Sequence, residues 1–117
     1  MKGTRLNFSA VRPVFFLSLV DAAADAEPVA VRLSDLKGVF FVRNLSGNAA
    51  YNERKEFDER PLGRKIAVTF KDGERLVGTT FTYDAARDGF FLFPADANSN
   101  NERIYVVMHS VSSVEKL

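Results

Sequence analysis

Apolar and polar positions alternate with a period of two along most of the chain, the signature of half-buried strands. In "VFFLSLV" (Val14 to Val20), Phe15, Leu17 and Leu19 form an apolar face, and Val14, Phe16, Ser18 and Val20 a mostly apolar one. Pro13 suits the first position of such a strand. After the polar connection "DAAADAEP", Val29, Val31 and Leu33 share a face opposite Ala30 and Arg32, so the two runs are expected to form a hairpin. "SDLKG" (Ser34 to Gly38) offers a turn, or a single helical turn capped by Ser34, before "VFFVR" (Val39 to Arg43) resumes as a strand.

The pattern breaks between Leu45 and Arg64, where seven charged residues fall between Glu53 and Arg60 with few apolar anchors. This stretch reads as a solvated connection or as a short helix over Ala49 to Glu59, ended by Pro61 and Gly63. Past it the alternation is strict. Ile66, Val68 and Phe70 oppose Lys65, Ala67 and Thr69, and Asp72-Gly73 then predicts a two-residue type I′ turn. The return strand runs from Arg75 to Tyr83, with Gly78 in the middle, where a strand bends or approaches another backbone. "DAARDG" (Asp84 to Gly89) predicts a second turn. "FFLF" (Phe90 to Phe93), apolar on both faces, predicts a central strand closed by Pro94. Ile104, Val106 and Met108 alternate with Tyr105, Val107 and His109 in a further strand. The spacing of Val111 and Val114 predicts a tight 3₁₀ turn, and Glu115 to Leu117 a last short strand.

The expected fold is therefore all-β, with seven or eight strands in a single structural domain over residues 1–117. N-terminal strands (1–45) and a charged connection (46–62) precede a small barrel (63–117). Eleven Phe, no Trp and a 46% hydrophobic share suit an aromatic-rich β core.

Charge and cysteine content narrow the chemistry. The net charge is +1, with six basic and four acidic residues up to residue 50 and ten basic and eleven acidic after it. Neither part has the positive excess that drives phosphate-backbone binding, so nucleic acid is not the expected partner. With no Cys, disulfides, thiolate metal sites and thiol nucleophiles are excluded. The longest apolar run is far short of the about 20 residues a membrane helix needs. Lys2, Arg5 and Arg12, then Val14 to Val20, then "DAAADA" imitate a secretory signal, but the apolar run is minimal and Asp21 follows it at once. A buried strand is the preferred reading, and a cytoplasmic setting with no membrane partner is expected.

No catalytic constellation converges. His109 is the only His, which rules out a two-His metal site, and no metal or cofactor is expected. Glu53, Glu56, Asp58 and Glu59 lie in a mixed charge run, where surface pairing is the usual role. Phe90, Phe91 and Phe93 lack interleaved cations and read as core rather than as a stacking platform. Two segments remain as candidate ligand or partner surfaces. "RPLGR" (Arg60, Arg64) spaces two guanidinium groups by four, and "NLSGNA", following Arg43, supplies Asn44 and Ser46. The loop "ADANSNNER" supplies Asn98, Asn100, Asn101 and Arg103, although its Asn and Ser residues suit a tight turn equally well.

"VTFKDGERLVGTTFTYD" and the closing strand, tight turn and short strand resemble the Sm-like fold, a strongly bent five-stranded sheet closed into a barrel related to SH3-like barrels. RNA-binding Sm proteins carry an Asn a few residues after the Asp matched by Asp84, and an Arg-Gly or Lys-Gly pair between their last two strands. This chain has "AARDG" and "HSVSS" there, so both sets that would line an RNA pore are missing.

A closer resemblance covers nearly the whole chain: "DLKGVFFVRNLSGN", "GFFLFPADANSNNERIYVV" and "VSSVEKL" are similar to an uncharacterised bacterial domain that occurs alone or beside PilZ and response-regulator domains. The resemblance implies a setting in bacterial signalling. The PilZ motif for cyclic di-GMP, R-x-x-x-R then [DN]-x-S-x-x-G, is met only in part: the order is reversed and Ala49 stands where the final Gly belongs. The leading expectation is a non-enzymatic regulatory or protein-interaction module whose partner is another protein or a signalling domain, with self-association open. Binding of cyclic di-GMP or RNA is the alternative.

Overall fold

A computed structural model describes residues 2–6, 8, 13–19, 26–42, 63–96 and 99–117. They form nine strands and two short 3₁₀ turns, arranged in two antiparallel sheets. The chain divides into two compact units, Met1–Leu36 and Lys37–Leu117.

The first unit is a three-stranded meander of β1 (Gly3–Leu6), β2 (Val14–Leu19) and β3 (Val29–Arg32), in the order β1-β2-β3. The β2–β3 hairpin is as the alternation predicts, with Phe15 opposite Val31, both buried, and the Phe8 ring edge-on to Phe15 at 5.3 Å. β1 has no counterpart in the sequence reading, because "GTRL" is too short to show a period. It is fixed by its pairing, Gly3 facing Leu19, and a Cβ at Gly3 would lie 2.1 Å from the Ser18 carbonyl oxygen. The turn after β3 is 3₁₀ over Leu33–Asp35. Ser34 lies inside it rather than capping it: the cap residue is Arg32, which makes no side-chain cap bond.

The second unit is a six-stranded sheet of β4 (Gly38–Val42), β5 (Arg64–Phe70), β6 (Arg75–Thr80), β7 (Gly89–Pro94), β8 (Asn101–Val107) and β9 (Val111–Lys116). Its order is β4-β8-β7-β6-β5-β9. The "FFLF" strand is central, as its two apolar faces require. β4, grouped with the N-terminal strands by sequence proximity, belongs to this sheet instead: Gly38 faces Val106 and Phe41 faces Arg103. Because β4 occupies the second edge of β8, β9 pairs only with β5. The ladders stay open, with β4 and β9 as the two edges, in place of the closed barrel the sequence suggests.

Strand parity divides the buried residues between two faces: Ala67, Val77 and Ala95 form a smaller cluster on one, and the main core lies on the other. Ile66, Val68, Phe70, Leu76, Phe90, Leu92, Ile104 and Val106 are all nearly or fully buried there, and Tyr83, Met108, Val111 and Val114 pack against them. At Gly78 a Cβ would lie 2.1 Å from the Phe93 carbonyl oxygen, so the close backbone approach expected at this glycine is present.

Two turns differ from expectation. The Asp72-Gly73 connection is a three-residue loop: Phe70 N–H donates to Glu74 O and Gly73 N–H to Phe70 O, with Gly73 at φ +93°. That is the pattern of a turn followed by a left-handed residue, which also demands Gly and so carries the same dipeptide signal as type I′. The 3₁₀ turn between the last two strands lies at Met108–Ser110, earlier than the Val111–Val114 spacing predicts, which lengthens β9 to six residues.

Candidate functional site

Arg43, Asn44, Ser46, Arg60 and Asn98 lie outside the described residues, as do the carboxylates of Glu53, Glu56, Asp58 and Glu59. Arg64 opens β5, Asn100 precedes β8, Asn101 opens β8, and Arg103 lies within it. Arg64 and Arg103 stand three strands apart in the sheet order, so the structure does not bring them into one site.

Within "ADANSNNER", Asp96 and Ser99 are buried, each 1% exposed, and Asn101 to Arg103 already belong to β8. Ser99 N–H donates to Asp96 O at 3.0 Å and Asn101 N–H to Ser99 Oγ at 3.0 Å. Arg103 covers an aromatic cluster. Its guanidinium lies 4.6 Å from the Phe41 ring centre and 5.2 Å from that of Phe91, and Phe91 stands edge-on to Tyr105 at 5.2 Å. Cross-strand pairing produces this, since Arg103 faces Phe41 and Tyr105 faces Phe91. Burial pushes the Tyr105 hydroxyl above its ordinary value, and the charge of Asp88 adds to the effect.

A second cluster joins the start of β4 to the β5–β6 loop. Lys37 Nζ donates to Asp72 Oδ2 at 2.8 Å and to Glu74 Oε1, and lies 4.7 Å from the Phe70 ring centre. The Lys37 carbonyl accepts from Val107 N–H at 3.1 Å and from Ser110 Oγ at 2.8 Å. Burial pulls the Lys37 ammonium down, but the bonds and charges of Asp72 and Glu74 together outweigh it and hold it above its ordinary value. The Lys37 bond and the Glu74 backbone N–H hold Asp72 below the usual carboxylate range. Every partner here is internal to the fold, so this cluster fastens the sheet. His109 is exposed in the 3₁₀ turn after β8, and no group of three or more His, Asp or Glu among the described residues could hold a metal.

The third arrangement faces solvent. β6 stops at Thr80, and hydroxyls then replace the ladder. Thr80 Oγ1 donates to Phe91 O at 2.8 Å and accepts from Thr82 N–H at 3.3 Å, and Phe91 N–H reaches Thr82 Oγ1 at 3.4 Å. Phe81, between the two threonines, is turned outward and 63% exposed. It meets Phe93, 38% exposed, edge-on at 6.2 Å. The Gly63 backbone closes on the same ring: a Cβ there would lie 3.2 Å from Phe81 Cε1 and 3.0 Å from Thr80 O. The next residue, Arg64, donates from Nη2 to Tyr83 O at 2.9 Å, while the Tyr83 ring packs edge-on against Phe90 at 5.0 Å.

This outward pair departs from the reading of the Phe run as core. Phe90 is buried, but Phe93 has the opposite parity and falls at the end of its strand, and Phe81 lies beyond the end of β6. Parity was legible in the sequence; the point at which β6 stops was not, because "TTFTY" continues to alternate.

Among the described residues no helix is long and apolar enough to cross a membrane. No curated protein and no solved structure matches the chain. Residues 2–117 match a family of unknown function, DUF6982, and the chain belongs to that family.

Proposed function

We propose that the protein is a non-enzymatic regulatory or protein-interaction module of bacterial signalling, working in the cytoplasm beside PilZ or response-regulator domains. The observation that supports this reading is the exposed Phe81–Phe93 pair. Ile66, Val68, Phe70, Leu92 and their neighbours make the core, and these two rings lie outside it; exposed contiguous apolar surface is the usual mark of a partner surface. The second unit reads as an Sm-like or SH3-like sheet opened by an added strand: β9 returns through a 3₁₀ turn to lie beside β5, and β4 takes the edge of β8.

Cyclic di-GMP or RNA binding through the sheet or the Arg60/Arg64 region is the competing reading. A backbone-amide NMR titration of the full chain with cyclic di-GMP, and in parallel with a short single-stranded RNA, separates the two. Unchanged spectra are expected with both ligands. Saturable shifts around Arg64 with either ligand would replace the interaction module with a nucleotide sensor or RNA binder, and turnover in a broad enzyme assay panel would remove both.

A further inference from the structure

We infer that β4 is a self-association edge: two copies of the chain pair through their β4 strands, antiparallel about a two-fold axis at Phe40. This does not rest on the Phe81–Phe93 pair and concerns a different part of the sheet.

The ladder shows which backbone groups of β4 are turned outward. Lys37 O accepts from Val107 N–H, one step beyond the facing pair Gly38 and Val106, so Lys37 and Val107 are a hydrogen-bonded pair of the antiparallel ladder. Such pairs alternate, so Val39 and Phe41 also turn their N–H and C=O groups toward β8, and Gly38, Phe40 and Val42 turn theirs away from it. The far side of β8 agrees. Met108 N–H donates to Asp88 O, one step beyond the facing pair Gly89 and Val107, which aims the backbone groups of Ile104 and Val106 at β7 rather than at β4. The register shift at Phe41/Val42 skips Glu102 on β8 and leaves the alternation along β4 intact. Among the described residues no strand pairs with the outer side of β4.

Sheet edges are ordinarily blunted by charges, prolines or bulges. The opposite edge, β9, is defended in this way. Glu115 and Lys116 are exposed on it, and Ser112 is bulged between the pairs Thr69–Ser113 and Phe70–Val111, with its Oγ turned inward to donate to Thr69 O at 3.1 Å. β4, "GVFFV", has no charge, no proline and no bulged residue of its own. Phe40 faces Ile104 on the core-bearing face, yet it is 37% exposed because its strand is the last of the sheet. An apolar residue opposite it on one further strand would extend the core.

The strand's own copy fits that place. An antiparallel copy centred on Phe40 sets residue 38 opposite residue 42 and residue 39 opposite residue 41. Each outward N–H then meets an outward C=O at all three positions. A shift of one residue would oppose outward groups with inward ones, and a shift of two would leave some unpaired. Directly opposite residues share a face, so the two Phe40 rings meet on the core-bearing face and Val39 meets Phe41 of the copy on the other. No charge within β4 opposes its own copy, and Lys37, just before it, is already held by Asp72 and Glu74. An edge of five residues makes a small interface, below the roughly 1,200 Å² of stable complexes, so the dimer is a weak and exchanging one.

The test is sedimentation of the full chain across a concentration series, with amide hydrogen exchange on the same samples. Native protein should shift from monomer to dimer as concentration rises. Exchange at Gly38, Phe40 and Val42 should slow in step, while Val39 and Phe41, already bonded to β8, should not change. Phe40→Lys and Phe40→Glu each place like charges across the axis and should dimerise about tenfold more weakly or worse, whereas an equimolar mixture of the two should recover the dimer. Amide spectra report whether each variant keeps its fold, and the exchange pattern of native protein decides the matter if one does not. Phe81→Ser should dimerise as native protein does. A native chain that stays monomeric with unchanged exchange, a dimer that survives in both charge variants, a mixture no more dimeric than its components, or a dimer lost in Phe81→Ser would each overturn the β4 pairing.

Discussion

Thr80 Oγ1 donates to the Phe91 carbonyl at 2.8 Å, at the point where the backbone ladder between β6 and β7 ends. Thr80 is fully buried, so this side chain replaces a main-chain bond inside the core and lets β6 turn away while Phe91 O stays satisfied. Thr80→Val keeps the shape but removes both the donor to Phe91 O and the acceptor for Thr82 N–H. Chemical denaturation should show a loss of about 1–3 kcal/mol, the usual cost of leaving buried groups unpaired.

The contrast between core and ledge is measurable by the same means. Leu92 is fully buried, and Leu92→Ala should cost about 2–5 kcal/mol through lost transfer energy and the cavity left behind. Phe81→Ser, at an exposed ring, should change stability by about 0.5 kcal/mol or less. A large loss for Phe81→Ser would mean that the ring belongs to the fold rather than to a partner surface.

The Lys37 cluster should appear in the pH dependence of stability. Asp72 has its folded-state value lowered from 3.8, so its contribution is present above that pH and is lost as the pH falls through the lowered value. Lys37 has its value raised from 10.5, so its contribution is present below that pH and is lost as the pH rises through the raised value. Lys37→Met should therefore melt at a lower temperature than native protein across the neutral range, and the difference should shrink in acid below 3.8 and in alkali above 10.5. Melting curves across these limits check this, and a constant difference would show that Lys37 acts through its aliphatic stem on Phe70.

Much of the fold could be read from alternation alone. The apolar faces that carry Phe15 and Val31, and Ile66, Val68 and Phe70 sharing the core face, follow from a period of two that needs no tertiary information. Partners distant in sequence could not be read that way. Nothing in "VFFV" indicates that Phe41 will face Arg103, and "GTRL" becomes a strand only because Leu19 and its neighbours offer an edge. The candidate site was legible in pieces. Phe93 is visible in the sequence as part of an apolar run, yet its significance here comes from Phe81, whose exposure depends on where β6 stops.

The position of β4 also governs the order in which the protein can be made. Each strand of the first unit pairs with a neighbour in the chain, so that sheet can form as it leaves the ribosome. β4 faces β8, with residue 38 opposite residue 106, and cannot pair until residues 101–106 have been synthesised. Its apolar "VFFV" run is held open through that interval, and distant pairings of this kind close slowly. Among the described ladders, this edge strand is thus the one whose partner lies furthest from it in sequence.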